Sequence, residues 1–569
     1  MSSISRKWQI APQMPQDLLQ AFREAGFDPL VAQLLYNRGV ASPDAARTFL
    51  DPPEDGNPFD LPDMSEAVTR LRTAIRKGES IVVYGDYDAD GVTATALLVD
   101  VLASLGARVS PYIPHRVDEG YGLHVEALAD LLNSGCRLVV TVDCGIRSIP
   151  EAEWARDHGL DMIITDHHSA GESLPPAIAC IDPKRVGSRY PFAELSGVGV
   201  AFRLAQALLR SQEQVPILSQ SVPLAESDLL DLVALGTVAD LAPLVGENRT
   251  LVKSGVEAIR RTRRPGLREL IAACNLQGLV SVGHIGFMLG PRLNAAGRLD
   301  TAMDSYELLT TRSTDRAREL AQKLDACNRE RQQKTSAAVE TARAIALQDG
   351  EPAPLIFVAD RDILGGIAGL VASKLTEEFY RPSVVISITN DVSRGSARSI
   401  AEWNVTAALD RCSGLLVRHG GHAAAAGFEV ETRLLDALHA ELLKMAEQEL
   451  QGSDLAPTLT VDAEVSLGQM TWDMLHALSR LEPHGYGNPA PVFACRGAQV
   501  KDSRIVGEKH LKLMLSDGQT VWDAIAFRMA ERAVGLAHRV DVAFSLEVNS
   551  WNGQDRLQLH VKDIRPSQE

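Results

Sequence analysis

Three short polar clusters hold the residue types needed for chemistry on a phosphate ester. Gly85-Asp86-Tyr87-Asp88-Ala89-Asp90-Gly91 sets three carboxylates at alternate positions. Asp143-Cys144-Gly145 offers one more, and Asp166-His167-His168 joins a carboxylate to two imidazoles. A fourth candidate, Asp240, ends the apolar segment Gly236-Thr237-Val238-Ala239. Carboxylates and imidazoles gathered in one place repel or desolvate one another unless a cation lies among them. Carboxylate with imidazole suits Mn²⁺, or Mg²⁺ with more retained water. Without a thiolate ligand set the pattern is not a structural zinc site. Two ions roughly 3.5–4 Å apart clamp the attacking and leaving oxygens of a phosphoryl ester. Such a pair needs a bridging carboxylate, and Asp143, alone after its strand, is the candidate.

Each cluster alone has a plainer reading. An Asp after a strand commonly caps the next helix, and Asp86, Asp88 and Asp90 together could cap a helix at Val92. Adjacent histidines are often surface or core. Three such clusters within one α/β segment favour the metal centre.

The elements that must position them are legible. Ile81-Val82-Val83-Tyr84, Arg137 to Val142 and Met162-Ile163-Ile164-Thr165 read as buried strands, each running straight into one cluster. Helical stretches lie nearby, at Val92 to Leu105, Val125 to Asn133 and Ile149 to His158. Short apolar strands alternating with helices imply a parallel, helix-covered sheet. Ligands bind such sheets at the carboxyl edge, where all three clusters fall.

Around this domain the pattern changes several times. Residues 1–60 read as a helical lead-in, with Ser42-Pro43-Asp44 starting a helix. The catalytic α/β domain spans 61–312. The polar stretch Asp315 to Leu347 reads as one or two long connecting helices within 313–350. A second α/β pattern fills 351–452, with strands at Leu355-Ile356-Phe357-Val358 and Ser383 to Ile388 and a helix at Ile367 to Phe379. From 453 to 569 the period shifts to two. Leu511, Leu513 and Leu515 precede Asp517-Gly518, and Leu557, Leu559 and Val561 follow Asn552-Gly553, both strong hairpin signals. That module is an all-β sandwich or OB-like barrel.

The balance of 57 basic against 74 acidic residues gives a charge of −17, so bulk charge does not mark a nucleic-acid binder. DNA binding would need local basic groups or metal ions. The basic run is Arg249 to Arg268, with Arg249, Lys253, Arg260, Arg261, Arg263, Arg264 and Arg268 against Glu257. It reads equally as a phosphate track or a solvated helix face. No apolar run approaches the roughly 18 residues of a membrane span, and Met1 to Gln13 lack the apolar core of a signal peptide. Seven scattered cysteines imply a reducing cytoplasm.

The residues from Tyr84 to Thr93, with Val142-Asp143-Cys144-Gly145 and Asp166-His167-His168, resemble the DHH phosphoesterases. The fuller set resembles the branch of that family that degrades single-stranded DNA. It comprises Glu119-Gly-Tyr-Gly122, Leu289-Gly-Pro-Arg-Leu-Asn-Ala-Ala-Gly-Arg298, Gly395-Ser-Ala-Arg-Ser399, Gly420-Gly-His-Ala-Ala-Ala-Ala-Gly427 and Gly487-Asn-Pro-Ala-Pro-Val-Phe493. The resemblance implies two α/β domains, DHH and DHH-associated, joined by a long helix around a central cleft, with a C-terminal OB-like domain. It implies 5′→3′ hydrolysis of single-stranded DNA to 5′-mononucleotides with two Mn²⁺ or Mg²⁺ ions. It assigns Asp88, Asp90, Asp143, His167 and Asp240 as metal ligands and sets His168 against the scissile phosphate. Asp86 falls either on a metal or one contact behind it. Single-strand-binding protein and a helicase are the partners it implies. The chain departs from the family where Ile363 and Leu364 replace a Trp-His pair, and at His484, where an aromatic is common.

A 5′-end exonuclease must hold a terminal phosphate. Arg298, Ser396 and Arg398 are the candidates, with Asn294 nearby, because Arg offers bidentate contacts. Gly420-Gly421-His422 would let backbone approach a phosphate, and Arg116 and Tyr121 could line the strand path. Each has a plainer alternative: an ion pair for Arg298 and Arg398, a tight turn at His422, an exposed loop at Arg116. Trp522, Phe527 and Trp551 could stack bases on the β module or fill its core. Competing functions are a phosphodiesterase of short oligonucleotides or cyclic dinucleotides, a scaffold without catalysis, and a pyrophosphatase. The C-terminal β module disfavours the first, and the full ligand set disfavours the second.

Overall fold

The computed structural model describes residues 6–52, 56–115, 119–120, 122–217, 224–276, 280–299, 301–348, 350–551 and 554–567, without the side chains of 299, 550 and 551. The chain forms two compact units. One holds Asp51–Arg331 with Glu482–Pro489, and the other holds Met1–Leu50, Gln332–Leu481 and Ala490–Glu569.

In the first unit, five parallel strands form one sheet. Their order is Arg108–Tyr112, Ser80–Gly85, Cys136–Val142, Asp161–Thr165, Ala179–Ile181. The three central strands are apolar and almost wholly buried, as a sheet covered on both faces requires. The helices Ala89–Ser104, Gly197–Gln214 and Leu230–Ala239 pack together in the same core. The apolar segment before Asp240 is therefore helical, and Asp240 is its C-cap.

The connecting stretch is a single helix, Thr314–Ala346, of 33 residues, about 50 Å long at 1.5 Å per residue. Leu320, Ala321 and Leu324 belong to the first core. Ala338, Val339 and Ala342 pack with the helix Gly365–Phe379 of the second unit.

The second unit's α/β sheet has the order Leu416–His422, Ala425–Glu431, Val392–Arg398, Ser383–Ser387, Ile356–Asp360. Only the last pair is parallel. The same unit carries the C-terminal β module, which is a barrel. Phe493–Val506 pairs with both His510–Ser516 and Arg539–Trp551, which closes five strands of the six-stranded sheet into a ring. Leu511, Leu513 and Leu515 point inward and Met514 outward, as the period of two requires.

The N-terminal lead-in is not purely helical. Lys7–Ile10 is a strand paired in parallel with Thr458–Val461. The helices that follow share one core with the barrel, where Phe22, Leu34 and Leu35 join Phe493 and Phe544. Three arginines of the basic run are committed inside the first unit. Arg249 is 2% exposed and donates to Glu482 O, Arg264 pairs with Asp100 and Asp231, and Arg260 pairs with Glu257. The run therefore does not form a continuous phosphate track. Among the described residues no helix is long and apolar enough to cross a membrane.

Candidate metal centre

The strands Ser80–Gly85, Cys136–Val142 and Asp161–Thr165 are in parallel register, so the residues just past their ends share one edge. Asp88 caps the helix Ala89–Ser104, accepting from Asp90 N at 2.9 Å and Gly91 N at 3.1 Å. The capping reading is thus correct for Asp88, but it uses only one carboxylate oxygen. Asp90, 1% exposed, accepts from Gly197 N at 2.7 Å and Val198 N at 2.9 Å. The N-terminus of an 18-residue helix therefore holds this carboxylate. Ser196 caps that helix through Gly199 N, and the Ser-Gly-Val-Gly run was the signal for it.

Asp143 sits at φ 62, in the left-handed region. A Cβ on Gly197 would lie 2.5 Å from Asp143 Oδ1, so only glycine lets this helix end approach the carboxylate. His167 Nε2 lies 3.1 Å from Asp143 Oδ1 and 3.8 Å from Asp240 Oδ2. Asp143 Oδ1 and His167 Nε2 are both buried, and neither makes a hydrogen bond among the described residues. Buried polar atoms are nearly always satisfied, and a cation beside these two would satisfy both. The donor set of carboxylates with one neutral imidazole fits Mn²⁺ or Mg²⁺.

Ligand atoms within 4.8 Å of one another fall into three sets: Asp143, His167 and His168; Asp90, His167 and Asp240; and Asp86, Asp88 and Asp143. Asp143 and His167 each belong to two sets, so the three sets form one cluster able to hold metal.

Electrostatics separates the two histidines. Burial, then the charge of His168, pushes His167 down to about 3, so its ring is neutral and free to ligate. Burial opposes charge on His168 too, but Asp166 outweighs it and lifts His168 to about 9. Asp166 Oδ1 accepts from His168 Nδ1 at 2.7 Å, and its Oδ2 accepts from Ile146 N at 3.0 Å. Asp166, which the sequence places in the cluster without a role of its own, is the residue that orients His168. Its signal was the Asp at i−2 from His168.

Burial, followed by neighbouring carboxylates, drives Asp90 and Asp143 well above the ordinary range and Asp240 up to about 7. For Asp240 this has a measurable sign in the metal-free protein. Between its ordinary value of 3.8 and about 7, the folded state keeps a proton that the unfolded chain has lost. Stability therefore falls as pH rises through that window. Asp240→Asn stays neutral throughout. In EDTA its melting temperature is expected to match the parent near pH 4 and to exceed it by a growing margin up to pH 7. A margin independent of pH, read by thermal melts at each pH, would contradict the assignment.

Asn294, expected near substrate, accepts from Ala89 N at 2.7 Å and so steadies the acidic loop. Arg298 lies half-buried on the same helix, Gly290–Leu299. Arg116 and Tyr121 lie outside the described residues. In the second unit, Ser396 and Arg398 share a strand beside the helix Gly365–Phe379. A Cβ on Gly369 would lie 3.0 Å from Arg398 Nη2 and 3.4 Å from Ser396 Oγ. Arg398 pairs in register with Ala425, which pairs with exposed His422, so these residues line one end of the sheet. Ile363 is buried in the core beneath this helix, and Leu364 is exposed at its start. On the barrel, Trp522 packs against the core, whereas Phe527 is exposed between the edges of His510 and His560. The Trp551 side chain lies outside the described residues.

Family models match three segments. The N-terminal domain of the DHH family covers residues 80–237, the DHHA1 domain covers 353–452, and the RecJ OB domain covers 461–563. The chain is 37% identical to the single-stranded-DNA-specific exonuclease RecJ of Bacillus subtilis (strain 168), over 100% of this chain and 72% of that protein. It is 36% identical to the protein of the same name from Escherichia coli (strain K12), over 95% and 96% of the two chains. The crystal structure of RecJ in complex with Mn²⁺ from Thermus thermophilus matches with a TM-score of 0.85 and 31% identity, over 99% of this chain and 80% of that one.

Proposed function

The chain belongs to the RecJ family of single-stranded-DNA-specific exonucleases, and from that premise we propose that it hydrolyses single-stranded DNA 5′→3′ to 5′-mononucleotides. The observation that carries this reading is the buried Asp143–His167 pair, unsatisfied inside a ring of carboxylates. Asp88, Asp90, Asp143, His167 and Asp240 would hold two Mn²⁺ or Mg²⁺ ions, with Asp86 beside them. Bound there, such ions supply positive charge to the phosphoryl oxygens and lower the pKa of the attacking water.

The chain's own groups do the rest. His168, its charge favoured by Asp166 and its ring partly exposed, would meet a phosphate oxygen and stabilise charge as it develops. Asp166 fixes its ring. Attack is in line, and the 3′ oxygen of the terminal nucleotide leaves.

Polarity follows from capture of the terminal phosphate. Ser396 and Arg398, with His422 at the same sheet end, would form the basic part of that site, while Arg298 and Arg116 are separate candidates for contacting the strand. Burial lowers the Arg398 pKa, and a poorly solvated guanidinium gains most from an anion. Arg398→Ala is expected to cut kcat/KM about 10- to 100-fold on 5′-phosphorylated DNA, since a charged hydrogen bond contributes about 1.5–3 kcal/mol. The same variant should lose little on 5′-hydroxyl DNA. Equal losses on both substrates would remove Arg398 from the phosphate site. In a cytoplasmic setting of DNA repair and recombination, a helicase and single-strand-binding protein would present the unwound substrate. A rival specificity for dinucleotides is tested by comparing a dinucleotide with a 30-mer, and the barrel supports the longer strand.

A further inference from the structure

We propose that the segment Glu482–Pro489 is a positioning brace for Asp240, so that a stretch of chain distant in sequence sets one ligand of the metal centre. The inference rests on the metal-centre reading given above. It begins with strain. After Asp240 caps its helix, Leu241 is held at φ 59, a conformation that L residues keep only where their surroundings impose it. The turn closes through Leu241 N to Val238 O at 3.3 Å and Ala242 N to Thr237 O at 3.1 Å.

What imposes the turn arrives from far along the chain. Leu244 N donates to Tyr486 O at 2.7 Å, and Arg249 Nη2 donates to Glu482 O at 2.8 Å. Gly487, at φ +75, rests on Pro243, where an added Cβ would lie 3.0 Å from Cβ and 3.3 Å from Cα. From the other side, Asn248 Nδ2 donates to Pro243 O at 3.1 Å. The brace is itself stiff. Gly485 N donates to Asn488 O at 2.9 Å, Asn488 N returns a bond to Gly485 O at 3.2 Å, and Asn488 Nδ2 donates to Pro483 O at 2.9 Å.

Only Leu241, Ala242 and Pro243 separate Asp240 from the anchored Leu244, and the proline ring fixes one of the torsions between them. A shift of the brace therefore reaches Asp240. Its Oδ2 lies 3.8 Å from His167 Nε2, so a small displacement opens the ligand set.

The test measures Mn²⁺ binding to the full-length protein by calorimetric titration, with thermal melts in EDTA, for the parent, Asp240→Asn and Gly487→Ala. Gly487→Ala pushes directly on Pro243. It is expected to weaken Mn²⁺ binding about 10- to 100-fold, as loss of a contact that orients a ligand does. Saturating Mn²⁺ is expected to restore kcat, with KM for single-stranded DNA unchanged. A folded Gly487→Ala with parental Mn²⁺ affinity overturns the brace. Where Gly487→Ala fails to fold, Gly485→Ala is held to the same criterion, because its Cβ presses on the Leu244 side chain, 2.6 Å from Cδ1. If Asp240→Asn binds Mn²⁺ like the parent, Asp240 is not a ligand and both readings fail. If Asp240→Asn loses affinity and Gly487→Ala keeps it, only the brace fails.

Discussion

Asp143→Asn is expected to lower single-strand cleavage by about 10³-fold or more, since charge stabilisation by a metal pair amounts to several kcal/mol and each 1.36 kcal/mol is tenfold. Asparagine is the right replacement because Asp143 sits at φ 62, where Asn is tolerated and most other residues are strained. The fold is expected to survive, with circular dichroism unchanged and affinity for a single-stranded oligonucleotide within a few-fold of the parent. In EDTA the variant is expected to melt above the parent. The parent buries a carboxylate oxygen without a hydrogen bond, and burial and the neighbouring Asp90 both oppose its charge. Loss of function with a gain in metal-free stability is the signature of a site strained for its ligand. Metal-dependent cleavage retained above a tenth of the parent's rate would remove Asp143 from the centre.

The second large effect is expected at His168. His168→Gln should reduce kcat about 10²- to 10³-fold, the usual cost of removing one donor aimed at developing charge. The Mn²⁺ dependence should stay close to the parent's, because the proposed role of His168, its Nδ1 held by Asp166, is to meet the phosphate and not a metal ion. His167→Gln is expected to do the reverse, raising the Mn²⁺ requirement while excess metal recovers part of the rate. Swapped behaviour, with His168→Gln rescued by metal and His167→Gln not, would exchange the roles of the two rings.

Much of this site was legible in the chain because it is local. Each cluster directly follows a strand of uninterrupted apolar residues, and parallel register brings such ends together. The hairpin at Asp517-Gly518 was equally local; Asn552-Gly553 lie outside the described residues, and the strands on either side of them pair antiparallel. What escaped is long-range. The strand Lys7–Ile10 is only four residues long, and its partner lies at Thr458–Val461, so no nearby pattern marks it. Asp240 was visible as a carboxylate ending an apolar run, but such a run does not distinguish a strand from a buried helix. The arginines from Arg249 to Arg268 looked like one surface. Asp100 and Asp231, the partners of Arg264, and Glu482, the partner of Arg249, are distant in sequence, and only folding shows that these two arginines are consumed internally. Asn294 was placed near substrate by its motif, whereas its hydrogen bond to Ala89 is visible only in three dimensions.

The central claim is tested most directly by a nuclease assay on a 5′-phosphorylated single-stranded 30-mer labelled at its 3′ end. It would be run with Mn²⁺, with EDTA, and on the matching duplex. Progressive shortening from the 5′ end, with metal only and on the single strand only, is the predicted result. Intact 30-mer in a protein that binds Mn²⁺, or equal digestion of the duplex, would contradict it.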